Sequence, residues 1–346
     1  MNHLVIRADA NSQIGTGHIM RCLALAQTWQ DQGGAVTFIS HCESNSLRQR
    51  LLNEGMNLIN IEKPYPTTDD LECTLENLSA ISRQQLTKCW LVIDGYHFDA
   101  AYQKRIKEAG YKILWIDDYG HADHYYADLV LNQNIYADES FYIHREPYTQ
   151  LLLGTRYVLL RREFNSWQGW QRKIPDIARN VLVTMGGADQ DNVTLKVIQA
   201  LKQIEIPDLE AIIVVGPSNP NLAILEREIS DLTNLQLIKN ASNMPELMVW
   251  ADLAVSAGGS TCWEMAFMGL PNIIMIIADN QRAVAEELHK QSIASNMGWG
   301  KKNLLADLGQ HIKSMILSKE HRQEFSIKAK QIIDGLGSQR VCGEMH

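Results

Sequence analysis

Residues 4–21 read LVIRADANSQIGTGHIMR: a short apolar run, Leu4-Val5-Ile6, then a loop holding Gly15 and Gly17, then the start of an amphipathic stretch over 19–30. A strand that feeds a glycine-bearing turn and then a helix opens a βαβ unit. The chain keeps that rhythm. An apolar run follows at 35–39, and Leu71, Leu75, Leu78 and Ile81 recur at helical spacing. The run Trp90-Leu91-Val92-Ile93 ends at Asp94, a helix is predicted over 100–108, and 112–116 ends at Asp117-Asp118. This half predicts one parallel sheet with helices on both faces.

Over 154–176 the pattern lapses into a polar stretch rich in Arg and Trp, RREFNSWQGWQRK at 161–173. A second series then opens with Val181-Leu182-Val183-Thr184-Met185, the pair Gly186-Gly187, and a helix over 192–202. Further strands are predicted at 211–215, 235–238, 253–256 and 273–277, with closing helices over 304–318 and 320–333. The expected organisation is an α/β chain of two doubly wound, Rossmann-like domains, 1–153 and 177–346, joined by a linker at 154–176. Ligands of such sheets sit beyond the carboxyl ends of the strands, so an interdomain cleft is the expected place for the site.

Composition narrows the function classes. In 346 residues, 45% hydrophobic and 21% charged, 40 acidic against 32 basic side chains leave a net charge of -8. No general basic surface exists to hold a nucleic-acid backbone or an anionic membrane, so neither is an expected partner. The six cysteines, Cys22, Cys42, Cys73, Cys89, Cys262 and Cys342, include no CxxC pair. Neither a disulfide framework nor a structural zinc site is expected, and a reducing cytoplasm fits. The first apolar run meets charge within seven residues and no later one exceeds strand length, so no membrane segment is expected.

Three glycine- or acid-rich constellations carry candidate chemistry. In Gly15-Thr16-Gly17-His18 the glycines let backbone approach a ligand, and the following helix offers unpaired N–H groups. His18 is the candidate general base, because imidazole takes a proton from water near neutral pH. Arg21, one turn on, is a candidate contact for a phosphate or a sugar hydroxyl. In Ser256-Ala257-Gly258-Gly259-Ser260-Thr261-Cys262-Trp263-Glu264, Gly258 and Gly259 permit a tight turn, and the N–H groups of Ser260 and Thr261 suit a diphosphate. Glu264 suits a pair of ribose hydroxyls, as acidic residues do in other nucleotide folds. Gly186 and Gly187 are candidates to support the same ligand. Finally, Asp94-Gly95-Tyr96 and Asp117-Asp118 sit at strand ends where they could hold sugar hydroxyl or amide groups, and Asn280 is a candidate sugar contact. A metal site from Asp117, Asp118, His121 and His124 lacks a recognised spacing and is not expected.

These blocks together resemble the UDP-sugar hydrolases of pseudaminic acid biosynthesis, the PseG type, within the GT-B-like superfamily that includes the MurG glycosyltransferase. The blocks are RADANSQIGTGHIMRCLALA, LVIDGYHFD, ILWIDDYGH, LVLNQN, LLGTRYVLLRREF, VLVTMGGAD and MPELMVWADLAVSAGGSTCWEMAFMGLP followed by DNQ. The resemblance implies a GT-B-like fold and removal of UDP from UDP-2,4-diacetamido-2,4,6-trideoxy-β-L-altropyranose by water, with inversion and with neither metal, cofactor nor covalent intermediate. It places the water-activating histidine at His18, the loop glycines at Gly15 and Gly17, and the sugar-side acids at Asp94 and at Asp117 or Asp118. The nucleotide-site run falls at Gly258 to Thr261 with Glu264. The family tends to have DSY where this chain has Asp94-Gly95-Tyr96, so the sugar pocket is expected to differ. A glycosyltransferase, a UDP-sugar 2-epimerase and a nucleotide-sugar binding module that has lost catalysis are the competing readings. The oligomeric state is left open, a monomer being compatible with such a site.

Overall fold

The computed structural model describes residues 2–11, 13–85, 89–300 and 305–346. Among these the chain forms two compact units, Met1–Arg162 with Leu336–His346, and Glu163–Gly335. The strands of the first unit are β1 (His3–Ala8), β2 (Ala35–Ser40), β3 (Asn57–Asn60), β4 (Cys89–Asp94), β5 (Lys112–Ile116), β6 (Leu129–Asn132) and β7 (Gln150–Leu153). Its leading helices are α1 (Gly17–Asp31), α2 (Asn45–Asn53), α3 (Thr68–Gln85) and α4 (Ala100–Glu108). All pairings are parallel, in the order β3-β2-β1-β4-β5-β6-β7.

Every residue of β1 and β4 is buried, which is why each is built around an apolar run, Leu4-Val5-Ile6 and Trp90-Leu91-Val92-Ile93, and the charged Arg7 and Asp94 beyond those runs are buried too. Alternate side chains feed two cores. Leu4, Ile6, Ala8, Trp90 and Val92 pack with Ile19, Cys22, Leu23 and Ala26 of α1. Val5, Leu91 and Ile93 pack on the other face with Leu78 of α3 and Tyr102 and Ile106 of α4.

Strand order reverses between β1 and β4, the point at which loops splay apart and leave a crevice. Register fixes what stands there. Asp94 lies opposite Ala8 of β1 and Ile116 of β5, so Asp117 and Asp118 leave β5 just beyond it, while α1 begins after the loop from β1.

The second unit has β8 (Asn180–Thr184), β9 (Glu210–Val215), β10 (Leu235–Lys239), β11 (Leu253–Ala257), β12 (Asn272–Ile276) and β13 (Ser295–Trp299). Its helices are α5 (Val193–Lys202), α6 (Leu222–Ile229), α7 (Met244–Trp250), α8 (Thr261–Phe267), α9 (Arg282–Lys290), α10 (Leu305–Leu317) and α11 (Lys319–Ile332). The sheet is again parallel, ordered β10-β9-β8-β11-β12-β13, and reverses between β8 and β11. Each unit is thus a doubly wound, Rossmann-like α/β layer. The expected helix start at Leu304 lies outside the described residues. No helix among the described residues is long and apolar enough to cross a membrane.

Two expectations about the chain's course need correction. The last helix, α12 (Gly337–Glu344), belongs to the first unit rather than to the second domain. Val341, Cys342 and Met345 join the core under α1, the Trp90 indole Nε1 donates to the Met345 carbonyl at 2.7 Å, and His346 stacks on Trp29. Nor is 154–176 a free linker. Arg162 donates to Gln27, Asp31 and Glu54 of the first unit. Arg172 donates to the carbonyls of Met248, Ala251 and Met268, closing the C-terminal ends of α7 and α8. Polar side chains here satisfy orphaned helix carbonyls instead of facing water.

Trp90→Phe removes the buried indole donor to Met345 and part of the contact that holds α12. Urea unfolding should show a loss of about 1–3 kcal/mol, the range for a buried hydrogen bond with some lost packing.

Candidate active site

The loop from β1 to α1 is shaped by Asn11. Its side-chain oxygen accepts from the backbone N–H groups of Gln13 and Ile14 at 2.9 and 3.0 Å, and its carbonyl accepts from Gly15. Gly15 has φ +74°, a left-handed conformation that glycine adopts without strain, and no atom lies where a Cβ of Gly15 or Gly17 would sit. The glycines therefore leave backbone open beside the start of α1.

From α1, His18 and Arg21 turn down onto the carboxyl end of β4 and meet the same carboxylate. The Nδ1 of His18 lies 2.6 Å from Asp94 Oδ1, and Arg21 grips Asp94 through Nε to Oδ2 (2.6 Å) and Nη2 to Oδ1 (2.7 Å). The remaining arm of Arg21, Nη1, donates to Asp118 at 2.8 and 3.0 Å. Asp118 also accepts from the Tyr96 hydroxyl and from the Asn134 amide, and the Tyr96 ring stands edge-on to His18 at 4.9 Å. The Cys22 thiol closes the shell against Asp94 Oδ2.

This geometry sorts the candidate residues. Asp94 is fully buried with both oxygens occupied, and Arg21 is spent between two carboxylates, so neither is presented to a ligand. An Nδ1–H donated to Asp94 fixes the imidazole tautomer and leaves Nε2 as a proton acceptor on a side chain 8% exposed. Asp117 serves its own loop: Oδ1 accepts from the N–H groups of Asp118, Tyr119 and Gly120, and Oδ2 accepts from the Tyr125 hydroxyl. The histidines expected near it part company, His121 on Asp117 and His124 on Glu146. Among the described residues no three His, Cys, Asp or Glu side chains converge on a metal position.

The electrostatics follow from these contacts. Burial alone would raise the Asp94 carboxyl, but Arg21 and His18 outweigh it and hold Asp94 well below the usual carboxylate range. Asp118 is likewise depressed against its burial, by Arg21 and Tyr96. Burial would lower Arg21, yet Asp118 and Asp94 raise it well above its ordinary value. Asp117 is held down to about 2 by His121, Tyr125 and the loop amides, again against burial. Burial raises the Cys22 thiol, which stays protonated.

A second buried network, unseen in the sequence, lies on the opposite sheet face. Arg7 bridges Asp9 and Asp70, Tyr102 donates to Asp70, and His97 Nε2 lies 3.0 Å from Asp9 Oδ2. Asn132 and Asn134 also escaped notice; the only signal was their recurrence in Asn132-Gln133-Asn134 at the end of β6, where they hold Asp118 by its carbonyl and its carboxylate.

In the second unit both glycine pairs leave strands that flank the reversal, β8 and β11. A Cβ on Gly216 would come within 2.4 Å of the Gly186 carbonyl, so Gly186-Gly187 packs tightly on the end of β9. Gly258 N and Ile277 N both donate to the Gln281 side-chain oxygen, at 3.2 and 3.1 Å, tying the Gly258-Gly259 turn to the end of β12. Gly259 has open space around it, Ser260 and Thr261 lead into α8, and Glu264 stands half-buried in its first turn. Asn280 is exposed, and it is its neighbour Gln281 that meets the loop.

The chain is similar to several known proteins. Residues 180–337 match the glycosyltransferase family 28 C-terminal domain. The chain is 27% identical over 341 residues to the spore coat polysaccharide biosynthesis protein SpsG of Bacillus subtilis, covering 98% of this chain and 96% of that protein. It is 29% identical over 293 residues to the UDP-2,4-diacetamido-2,4,6-trideoxy-β-L-altropyranose hydrolase of Campylobacter jejuni, covering 83% of this chain and 96% of that one. Among solved structures, MurG of Acinetobacter baumannii superposes with a TM-score of 0.63 at 16% identity over 99% of both chains, which places the fold among the GT-B architectures.

Stability should report the buried carboxylates. Asp117 sits at about 2 when folded, whereas an unfolded aspartate titrates near about 3.9. Its stabilisation is complete above about pH 4 and is lost as pH falls toward about 2, and the depressed Asp94 and Asp118 act with the same sign. Urea midpoints are expected to fall below about pH 4, and less steeply in Asp117→Asn than in the unaltered chain.

Proposed function

We propose that this chain hydrolyses a UDP-linked, acylated amino-deoxy sugar, releasing UDP and the free sugar. The observation that carries the reading is the His18–Asp94 pair at the β1–β4 reversal, with Nε2 of His18 left as acceptor. In the proposed step His18 Nε2 takes a proton from water as the water oxygen bonds to the anomeric carbon. The bond from that carbon to the diphosphate oxygen breaks, and its electron pair leaves with UDP. Attack opposite the leaving group inverts the centre. Asp94 orients the ring and faces the imidazolium that forms.

The nucleotide is assigned to the second unit, whose residues match the family 28 domain and whose Gly258-Gly259 turn exposes backbone before α8. There Ser260 and Thr261 would meet the diphosphate and Glu264 the ribose, with Gly186 and Gly187 beside them. In the first unit, Tyr96, Gly15 and Gly17 are assigned to the sugar. Support for the diacetamido-trideoxy sugar, and for water as the acceptor, comes from the Campylobacter relative. The family 28 match favours a second reading, transfer to an acceptor alcohol with His18 as the base.

The deciding experiment is incubation with UDP-2,4-diacetamido-2,4,6-trideoxy-β-L-altropyranose in oxygen-18 water with EDTA present, followed by mass spectrometry. Release of UDP with the label on the sugar is expected, unchanged by the chelator, and His18→Ala should slow it by about 100-fold or more, the usual contribution of a general base. UDP release only on adding an acceptor alcohol would sink the hydrolase reading in favour of transfer.

A further inference from the structure

The charges gathered at the β1–β4 reversal do not cancel. Two buried carboxylates, Asp94 and Asp118, share one guanidinium, Arg21, so these three side chains together carry one surplus negative charge. Burying a surplus charge costs stability, and an amide at position 118 would offer Arg21 and Asn134 the same acceptor oxygen without it. The oxygens of Asp118 already accept from Arg21, Asn134 and Tyr96, so its charge is engaged within the cluster.

Among the described residues, no further cation contacts Asp94 or Asp118. Around His18, from α1 come Arg21 and Cys22, from the end of β4 come Asp94 and Tyr96, and from the β5 loop come Asp118 and, beyond Tyr96, Tyr119 and His121. Tyr136, from the loop after β6, lies within the electrostatic reach of Asp118 and Arg21. Burial raises Cys22, Tyr119 and Tyr136, which stay neutral, and at His121 burial is outweighed by the contact with Asp117, which raises it.

Resting on the hydrolase reading, we propose that Asp118 is a positioning residue of the reaction: its surplus charge, acting through Arg21 and Asp94, favours proton uptake by His18 and the cationic sugar of the transition state. The ground state holds one negative charge too many, and the charge is matched when water gives its proton to His18. Positive charge developing at the anomeric carbon meets the same field. Asp118 does this without touching either reactant.

Asp118→Asn and the charge-preserving Asp118→Glu test it, with thermal melts to confirm folding. In Asp118→Asn the acid limb of the kcat profile should move to lower pH by about one unit, the scale for loss of one nearby charge. On the plateau kcat should fall about tenfold, with KM within about threefold. In Asp118→Glu the limb should stay in place. The proton resonance of His18 Cε1, assigned by its loss in His18→Asn, should titrate at lower pH in Asp118→Asn, and that reading needs no turnover. A His18 titration unmoved in Asp118→Asn, or moved equally in Asp118→Glu, overturns the proposal. If the resonance shifts as expected while no form of the protein releases UDP, the charge linkage stands and the hydrolase reading falls.

Discussion

One carboxylate, Asp94, organises the first unit's candidate site. It ends a strand whose six residues are all buried, and it receives both His18 and Arg21 from the first turns of α1. A carboxylate buried without partners would take up a proton or destabilise the fold; here a two-point guanidinium contact, an imidazole and a thiol keep it ionised. The contact also fixes how α1 lies over the sheet. With His18 and Arg21 three residues apart on one helical face, both reach Asp94 only if the helix starts directly beyond the end of β1, which the Asn11-braced turn and Gly15 arrange.

The Arg7 network makes the same choice on the other face of the sheet, one guanidinium between two buried aspartates. A shared arginine is therefore a device of this fold for holding loops at strand ends, and it does not mark a site by itself. The Arg7 network holds a histidine as well, His97 on Asp9, and what separates the Arg21 cluster is that its histidine, His18, stands in the first turn of α1 directly after the glycine loop at the reversal of strand order. Buried ion pairs of this kind contribute little net stability, because desolvation offsets most of the attraction. Their yield is geometry: the ring of His18 has one tautomer and one direction.

Much of this was legible in the sequence. The alternation of apolar runs with amphipathic stretches, and the glycine turns after the first strand and before Ser260, place both sheets and both reversals. His18, Asp94 and Asp118 are identifiable because chemistry-bearing residues at strand ends stand out against apolar runs. Their roles were not legible, since a strand-end aspartate reads the same whether it faces a sugar or an arginine from a helix 73 positions earlier in the chain. Short elements escaped as well. The strands β3, β6 and β7 have four residues each, too few for a period to show, and α12, eight residues long, was not read as a helix. That Gln281 braces the Gly258 turn was not legible either, because nothing in a tripeptide tells which side chain turns back onto a loop.

The depressed carboxylates also bear on what kind of leaving group the site suits. Cleavage of an ordinary glycoside needs an acid that gives its proton to the departing alkoxide, and a carboxyl serves only if its environment raises it. Asp94, Asp117 and Asp118 are all moved the other way. None of these three carboxyls is raised, so the proposed step suits a departing oxygen that is already stable as an anion. A diphosphate meets that condition and an alcohol does not. Arg21 and the hydrogen bonds that pin the three aspartates thereby do more than hold loops in place, because they fit the proposed chemistry to activated sugars.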